Sequence, residues 1–248
     1  AKVCGQHLAP EEEFDILRLG THGLADLIAQ ALALGARQIY IGIGDTAPCD
    51  GGLGLLQRLA QRLLGKSNGK KAEPLAEILH PGHFDFPALR KRLSQAELII
   101  CTETSLPAPS RRDIVQAYLE KELNEQFENL PGSAAASGVA MALAGLGGRI
   151  VSAADVFMEM LAVHENLRHV SGIIACEDRL SDVGSPLRGR TAYTACHRAV
   201  ELGRSGILIL PFGETRTVET CFQEGITAVE FAAAVAEDLD MALVRAGA

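Results

Sequence analysis

Ile41-Gly42-Ile43-Gly44-Asp45-Thr46-Ala47-Pro48-Cys49-Asp50-Gly51-Gly52 is the stretch on which the reading of this chain turns. The apolar run from Gln38 to Ile43 predicts a short buried strand. It empties into a loop with Gly44, Gly51 and Gly52 and the two carboxylates Asp45 and Asp50, and a helix is predicted from about Leu53. A strand, a glycine-rich loop and a helix in that order aim backbone N–H groups at a ligand beyond the strand's carboxyl end. The spacing is neither G-x-x-x-x-G-K-[ST] nor G-x-G-x-x-G, which excludes those two phosphate loops. Asp45 and Asp50 would repel a bare phosphate; they suit a metal-bridged phosphate, or a hydroxyl that must lose its proton. The competing reading is that Asp50 caps the helix and Gly51-Gly52 only turn the chain.

On either side the pattern repeats. Upstream, Thr21 is placed to cap a helix from His22 to about Leu34, with Leu24, Leu27, Ile28, Ala31 and Leu32 at helical spacing and Gly35 as its stop. Downstream, the helix after Gly52 runs through Leu64 to Gly65, and Lys66 to Lys71 reads as a surface turn. His80 and His83 fall in an irregular stretch and have no partner at metal-ligand spacing. Leu98 to Cys101 predicts a second strand, followed by the polar loop Thr102 to Pro109; Arg112 to Glu128 predicts a charged helix. Pro131-Gly132-Ser133-Ala134-Ala135-Ala136-Ser137-Gly138 then opens a helix ending near Leu146 with side chains small enough for another backbone or a ligand to come close. Ile150-Val151, Gly172 to Ala175 and Gly206 to Leu210 predict further strands. Ser152 to Leu161, Thr191 to Leu202 and Ile226 to Ala246 predict helices.

The loop after the Gly172 strand is the most polar in the chain, holding Glu177, Asp178, Arg179, Asp182, Arg188 and Arg190 around glycines. Carboxylates and arginines beside a glycine turn suit a phosphate–metal complex, or else a network that satisfies itself at the surface. Alternating strands and helices without a tight hairpin signal predict an α/β fold with a mainly parallel sheet, whose chemistry gathers at strand carboxyl ends.

Composition narrows the function classes. The 248 residues are 48% hydrophobic and carry a formal net charge of −8. No basic run offers the clustered positive face that nucleic acid requires. No apolar stretch is long enough for a membrane helix, and the first residues do not read as a secretory signal. Six cysteines without C-x-x-C or zinc-type spacing predict free thiols and a cytoplasmic setting. Cys49, Cys101 and Cys176 each follow a strand-like run; the reading preferred for them is small buried residues along one sheet edge.

Five blocks in order resemble the bacterial glycerate kinase family. Thr21-His22-Gly23-Leu24-Ala25-Asp26-Leu27-Ile28 resembles T-x-G-x-G-E-L-I, and Ile41 to Gly52 resembles I-G-I-G-G-S-A-T-N-D-G-G. Cys101 and its polar sequel resemble C-D-V-x-N-P-L, Pro131 to Gly138 resembles P-G-A-G-A-A-G-G, and Cys176 to Arg190 resembles G-E-G-R-x-D followed by G-K. The resemblance implies a two-lobed α/β protein with mainly parallel sheets and flanking helices. One lobe, 1–150, would carry the glycine-rich loop and the other would be 151–248, with ligands in a cleft between them. It implies transfer of the ATP γ-phosphate to a hydroxyl of glycerate with Mg²⁺. Asp50, Glu177 and Arg179 are then the catalytic candidates; Asp45, Thr46, Gly51, Gly52, Gly132, Ser133, Asp182 and Arg190 are the substrate- or phosphate-binding ones, and no residue is assigned as a metal ligand.

The chain departs from the family pattern in places. Ser181 holds the slot of the last block's aspartate, with Asp182 one place later, and Arg190 stands for lysine. The family's D-S-F-K-G-S and D-G-G-E-G-T motifs have no counterpart in these 248 residues. A catalytically inactive homologue that binds or regulates is therefore the alternative function, and a partner chain or oligomer stays open.

Overall fold

The computed structural model describes residues 20–44, 50–65, 80, 82–102, 114–127, 130–177, 190–210, 219 and 221–231. The chain divides into two compact units, residues 1–151 and 152–248. It is α/β, with one three-stranded parallel sheet in each unit and helices beside it.

In the first unit, α1 (His22–Ala33) leads to β1 (Gln38–Ile43), and α2 (Leu53–Leu64) follows the glycine-rich loop. After α3 (Phe86–Leu93) come β2 (Glu97–Thr102), α4 (Ile114–Leu123), α5 (Val139–Gly145) and β3 (Arg149–Ser152). The sheet order is β1-β2-β3, and β1 lies parallel to β2 from Gln38 opposite Glu97 to Ile43 opposite Thr102. That register brings the carboxyl ends of the two strands side by side. β2, the central strand, is buried from Leu98 to Thr102, as a parallel strand covered on both faces should be. Leu55, Leu56 and Leu59 of α2 are completely buried, each contributing roughly 2 kcal/mol by its removal from water. α1 packs on α2 through Ala25 and Ile28, and their outer faces are tied by Asp26 to Arg62 (2.7 Å) and Arg58 (3.6 Å).

The second unit contains α6 (Ala153–Met160), α7 (Val163–Leu167), β4 (Gly172–Cys176), α8 (Thr191–Glu201), β5 (Ser205–Leu210) and β6 (Ala228–Phe231). Its sheet order is β4-β5-β6, with both pairings parallel. Ala192, Tyr193 and Cys196 of α8 pack on Leu208 and Leu210 of β5, joined by Cys221 and Ile226.

Several expectations change. The closing helix over 226–246 gives way to β6 at Ala228–Phe231, and residues 232–248 lie outside the described ones. Of the stretch expected to be irregular, Phe86 and Pro87 instead open α3, which Asp85 caps by accepting the Ala88 N–H at 3.1 Å. The charged helix, α4, ends at Leu123, where the next residue, Asn124, takes a positive φ of 53°. Of the strand-end thiols, Cys101 is buried as expected but Cys176 is exposed, because it ends the edge strand β4; Cys49 lies outside the described residues.

Candidate functional site

Asp50 is engaged through both of its carboxylate oxygens. Its carboxylate accepts the Thr21 N–H at 3.0 Å, the Gly52 N–H at 3.0 Å and the Gly54 N–H at 3.1 Å. The Thr21 hydroxyl donates to it as well, 3.0 Å from Oδ2 and 3.2 Å from Oδ1, and itself accepts the Leu55 N–H at 2.8 Å. Thr21 thus does not cap its own helix by its side chain; it reaches across to α2. One carboxylate therefore satisfies orphan N–H groups at the start of two helices, where their dipoles favour negative charge. Both oxygens are engaged, which leaves little lone-pair capacity for a proton in flight or a cation.

The next two residues explain why glycine follows. Gly51 and Gly52 have φ of +62° and +87°, in the left-handed region that side chains rarely adopt. A Cβ on Gly52 would stand 2.6 Å from the Ala142 Cβ of α5, and one on Gly51 would meet Val115 of α4 at 2.9 Å. A Cβ on Gly138 would in turn lie 3.5 Å from the Gly51 Cα. Two glycine blocks separated by about eighty residues in sequence are thus brought together, backbone against backbone. The second arrives through Ala136, Ser137 and Gly138, with φ of 54°, 53° and 96° in succession. For the alanine and the serine this costs on the order of 1 kcal/mol each, a strain the surrounding packing must offset. Gly132 and Ser133 are buried, and the Ser133 hydroxyl donates to the Phe127 carbonyl at 3.1 Å.

In the second unit Glu177 follows β4, with its N–H bonded to the Ile209 carbonyl of β5 at 3.0 Å. Its carboxylate pairs with the Arg190 guanidinium at 3.2 Å, and the two side chains are only 12% and 17% exposed. Arg190 is the residue at which α8 begins, so the pair sits beside that helix's N-terminus. Asp45, Thr46, Arg179 and Asp182 lie outside the described residues. Among the described residues, no group of three or more His, Cys, Asp or Glu is arranged to hold a metal ion. No helix among them is long and apolar enough to cross a membrane.

The candidates therefore form two groups within their own units: Asp50 with Gly51, Gly52 and the Pro131–Gly138 block, and Glu177 with Arg190. Thr21 was read from the sequence only as a helix cap, although a hydroxyl residue within a family-like block was the signal for something more. His22 was read only as the start of a helix; its ring lies over Gly20 and Gly54 beside Asp50.

The sequence model described as the glycerate kinase family matches residues 1–109 and 110–248, the whole chain. The chain belongs to the glycerate kinase family. It is 25% identical to a glycerate kinase of Halalkalibacterium halodurans over 92% of this chain, and 26% identical to the glycerate 2-kinase of Escherichia coli over 73% of it. It spans 66% of the length of the first relative and 54% of the second. The fold is similar to the crystal structure of a candidate glycerate kinase 2 from Salmonella typhimurium LT2, with a TM-score of 0.57 at 19% identity over 98% of this chain and 69% of that one.

Proposed function

We propose that this chain takes part in ATP-dependent phosphorylation of glycerate, the reaction that its family is named for. The observation that carries the reading is the meeting of two family-like glycine blocks at Asp50, since each block alone is a weak signal. In this reaction a glycerate hydroxyl oxygen bonds to the γ-phosphorus, the bond from phosphorus to the β–γ bridging oxygen breaks, and ADP leaves. Catalysis of such a transfer is chiefly positioning and charge neutralisation. Asp50 would serve it by fixing the starts of α1 and α2 and hence the walls of the site. Arg190 would meet phosphate charge, held ready by Glu177, with Arg179 and Asp182 as further ligand contacts. Mg²⁺ would arrive with the nucleotide. The described residues do not form a cage that fits it.

A second reading is favoured by the same geometry. The Asp50 carboxylate is fully engaged and Glu177 is paired with an arginine, which is what a homologue that binds without turnover would show. A coupled ADP-release assay with ATP, Mg²⁺ and D-glycerate separates the two. Turnover in the wild type that falls at least tenfold in Arg190→Met supports the enzyme. No turnover from a protein that melts cooperatively sinks it, and a melting temperature raised by glycerate or ATP then marks a binding protein.

A further inference from the structure

His22 is the first residue of α1 and is exposed, and it makes no hydrogen bond among the described residues. Its ring is nevertheless held in place. A Cβ on Gly20 would stand 2.5 Å from His22 Nδ1 and 2.8 Å from Cε1; a Cβ on Gly54 would stand 2.8 Å from each of the same two atoms. Real Cβ atoms do not approach so closely, so the imidazole occupies a slot that exists because two glycines, one before α1 and one in the first turn of α2, lack side chains. The Nδ1–Cε1 edge faces that slot. Asp50 Oδ2 borders the slot too, 2.8 Å from the Gly54 Cβ position and 3.6 Å from that of Gly20.

The neighbouring groups sharpen the assignment. The lone pairs of Asp50 are committed to Thr21, Gly52 and Gly54. Ser133 has its hydroxyl turned into the core. His22 is thus an exposed residue beside Asp50 whose imidazole is seated and makes no hydrogen bond among the described residues. Imidazole is also the side chain whose ordinary titration lies closest to neutral pH.

We infer that His22 is the general base of this site, an inference that rests on the phosphoryl-transfer reading above. As the acceptor hydroxyl oxygen bonds to the γ-phosphorus and the bridging oxygen departs with ADP, the hydroxyl proton passes to His22 Nε2. The imidazolium, facing Asp50, then returns the proton to solvent. The glycines are part of the device, because either one carrying a methyl would push the ring away.

The test is ADP release with ATP, Mg²⁺ and D-glycerate on wild type, His22→Ala and His22→Gln, with added imidazole in a parallel series. General-base catalysis is worth about 10²–10⁴-fold, so both variants should lose at least about a hundredfold in kcat, with KM for ATP changed less than about twofold. Free imidazole should restore His22→Ala in part, by refilling the slot, and leave His22→Gln inactive. Because the residue is exposed, both variants should melt within a few degrees of wild type. An active wild type with His22→Ala retaining more than half its kcat, or failing to respond to imidazole, overturns the inference alone. An inert wild type overturns it together with the kinase reading.

Discussion

Asp50 and Glu177 are both carboxylates that follow a parallel strand and stand beside a helix N-terminus, yet they are held by different kinds of donor. Asp50 receives three backbone N–H groups and a threonine hydroxyl whose own position is set by a backbone N–H. None of those backbone donors can turn away without unwinding a helix start. Glu177 receives the tip of an arginine, a long side chain with several rotatable bonds. The first arrangement is scaffold, since its energy is coupled to the fold; the second is a pair that a ligand of either charge could open by substituting for one partner. The Asp50 hold is thus coupled to two helix starts, whereas the Glu177–Arg190 ion pair is made by two side chains.

The severest way to break the first region is at Gly52. Gly52→Val places a β-branched residue at φ +87° and drives it into the Ala142 side chain. We expect a loss of roughly 3 kcal/mol or more, combining backbone strain with overpacking, read as a lower denaturant midpoint. A fall of under 1 kcal/mol would mean that α5 can move aside, and the meeting of the two glycine blocks would lose its significance.

A direct comparison of the carboxylates comes next in size. Asp50→Ala removes the cap of two helices and should cost about 3 kcal/mol, on caps worth 0.5–2 kcal/mol each. Glu177→Gln keeps an acceptor for Arg190 and should cost about 1 kcal/mol. Equal losses from the two substitutions would erase the distinction between scaffold and opening pair.

These effects also mark what could be read before any coordinates. Gln38 to Ile43 and Leu53 to Leu64 were legible because apolar runs of the right length end at glycines, and local physics decides both. Asp50 as a cap for α2 was legible for the same reason, being two and four residues from its donors. Its hold on Thr21 was not, because that contact spans 29 residues and depends on how α1 packs on α2. The slot around His22 was invisible for a related reason: it is defined by the missing side chains of Gly20 and Gly54, which sequence spacing does not bring together. β6 was misread because Ala-Val-Glu-Phe is too short to establish alternation and sits beside an alanine-rich run with helical spacing. It becomes a strand by pairing with β5, a tertiary effect that overrides local propensity.

The smallest expected effect tests the second region by its thiols. Burial pushes Cys196 up to about 12, opposed by its hydrogen bond with the Ala175 backbone and reinforced by the nearby Cys221 and Cys176 thiols. Burial likewise pushes Cys221 up to about 11 from an ordinary value of 9.0. A group whose pKa is higher in the folded state contributes its full stability below the unfolded value and loses it as pH rises toward the folded one. The protein should therefore weaken as pH rises from about 9 toward about 12, while Cys196→Ala, less stable at pH 8 because it leaves a cavity, should show a shallower alkaline decline. A thiol reagent at neutral pH should label the exposed Cys176 and spare Cys101, Cys196 and Cys221 until unfolding. Rapid native labelling of Cys196 would show that α8 lifts from β5 on its own. Arg190, where α8 begins, would then be mobile with its helix, and the freedom ascribed to the Glu177 pair would belong to the whole second sheet.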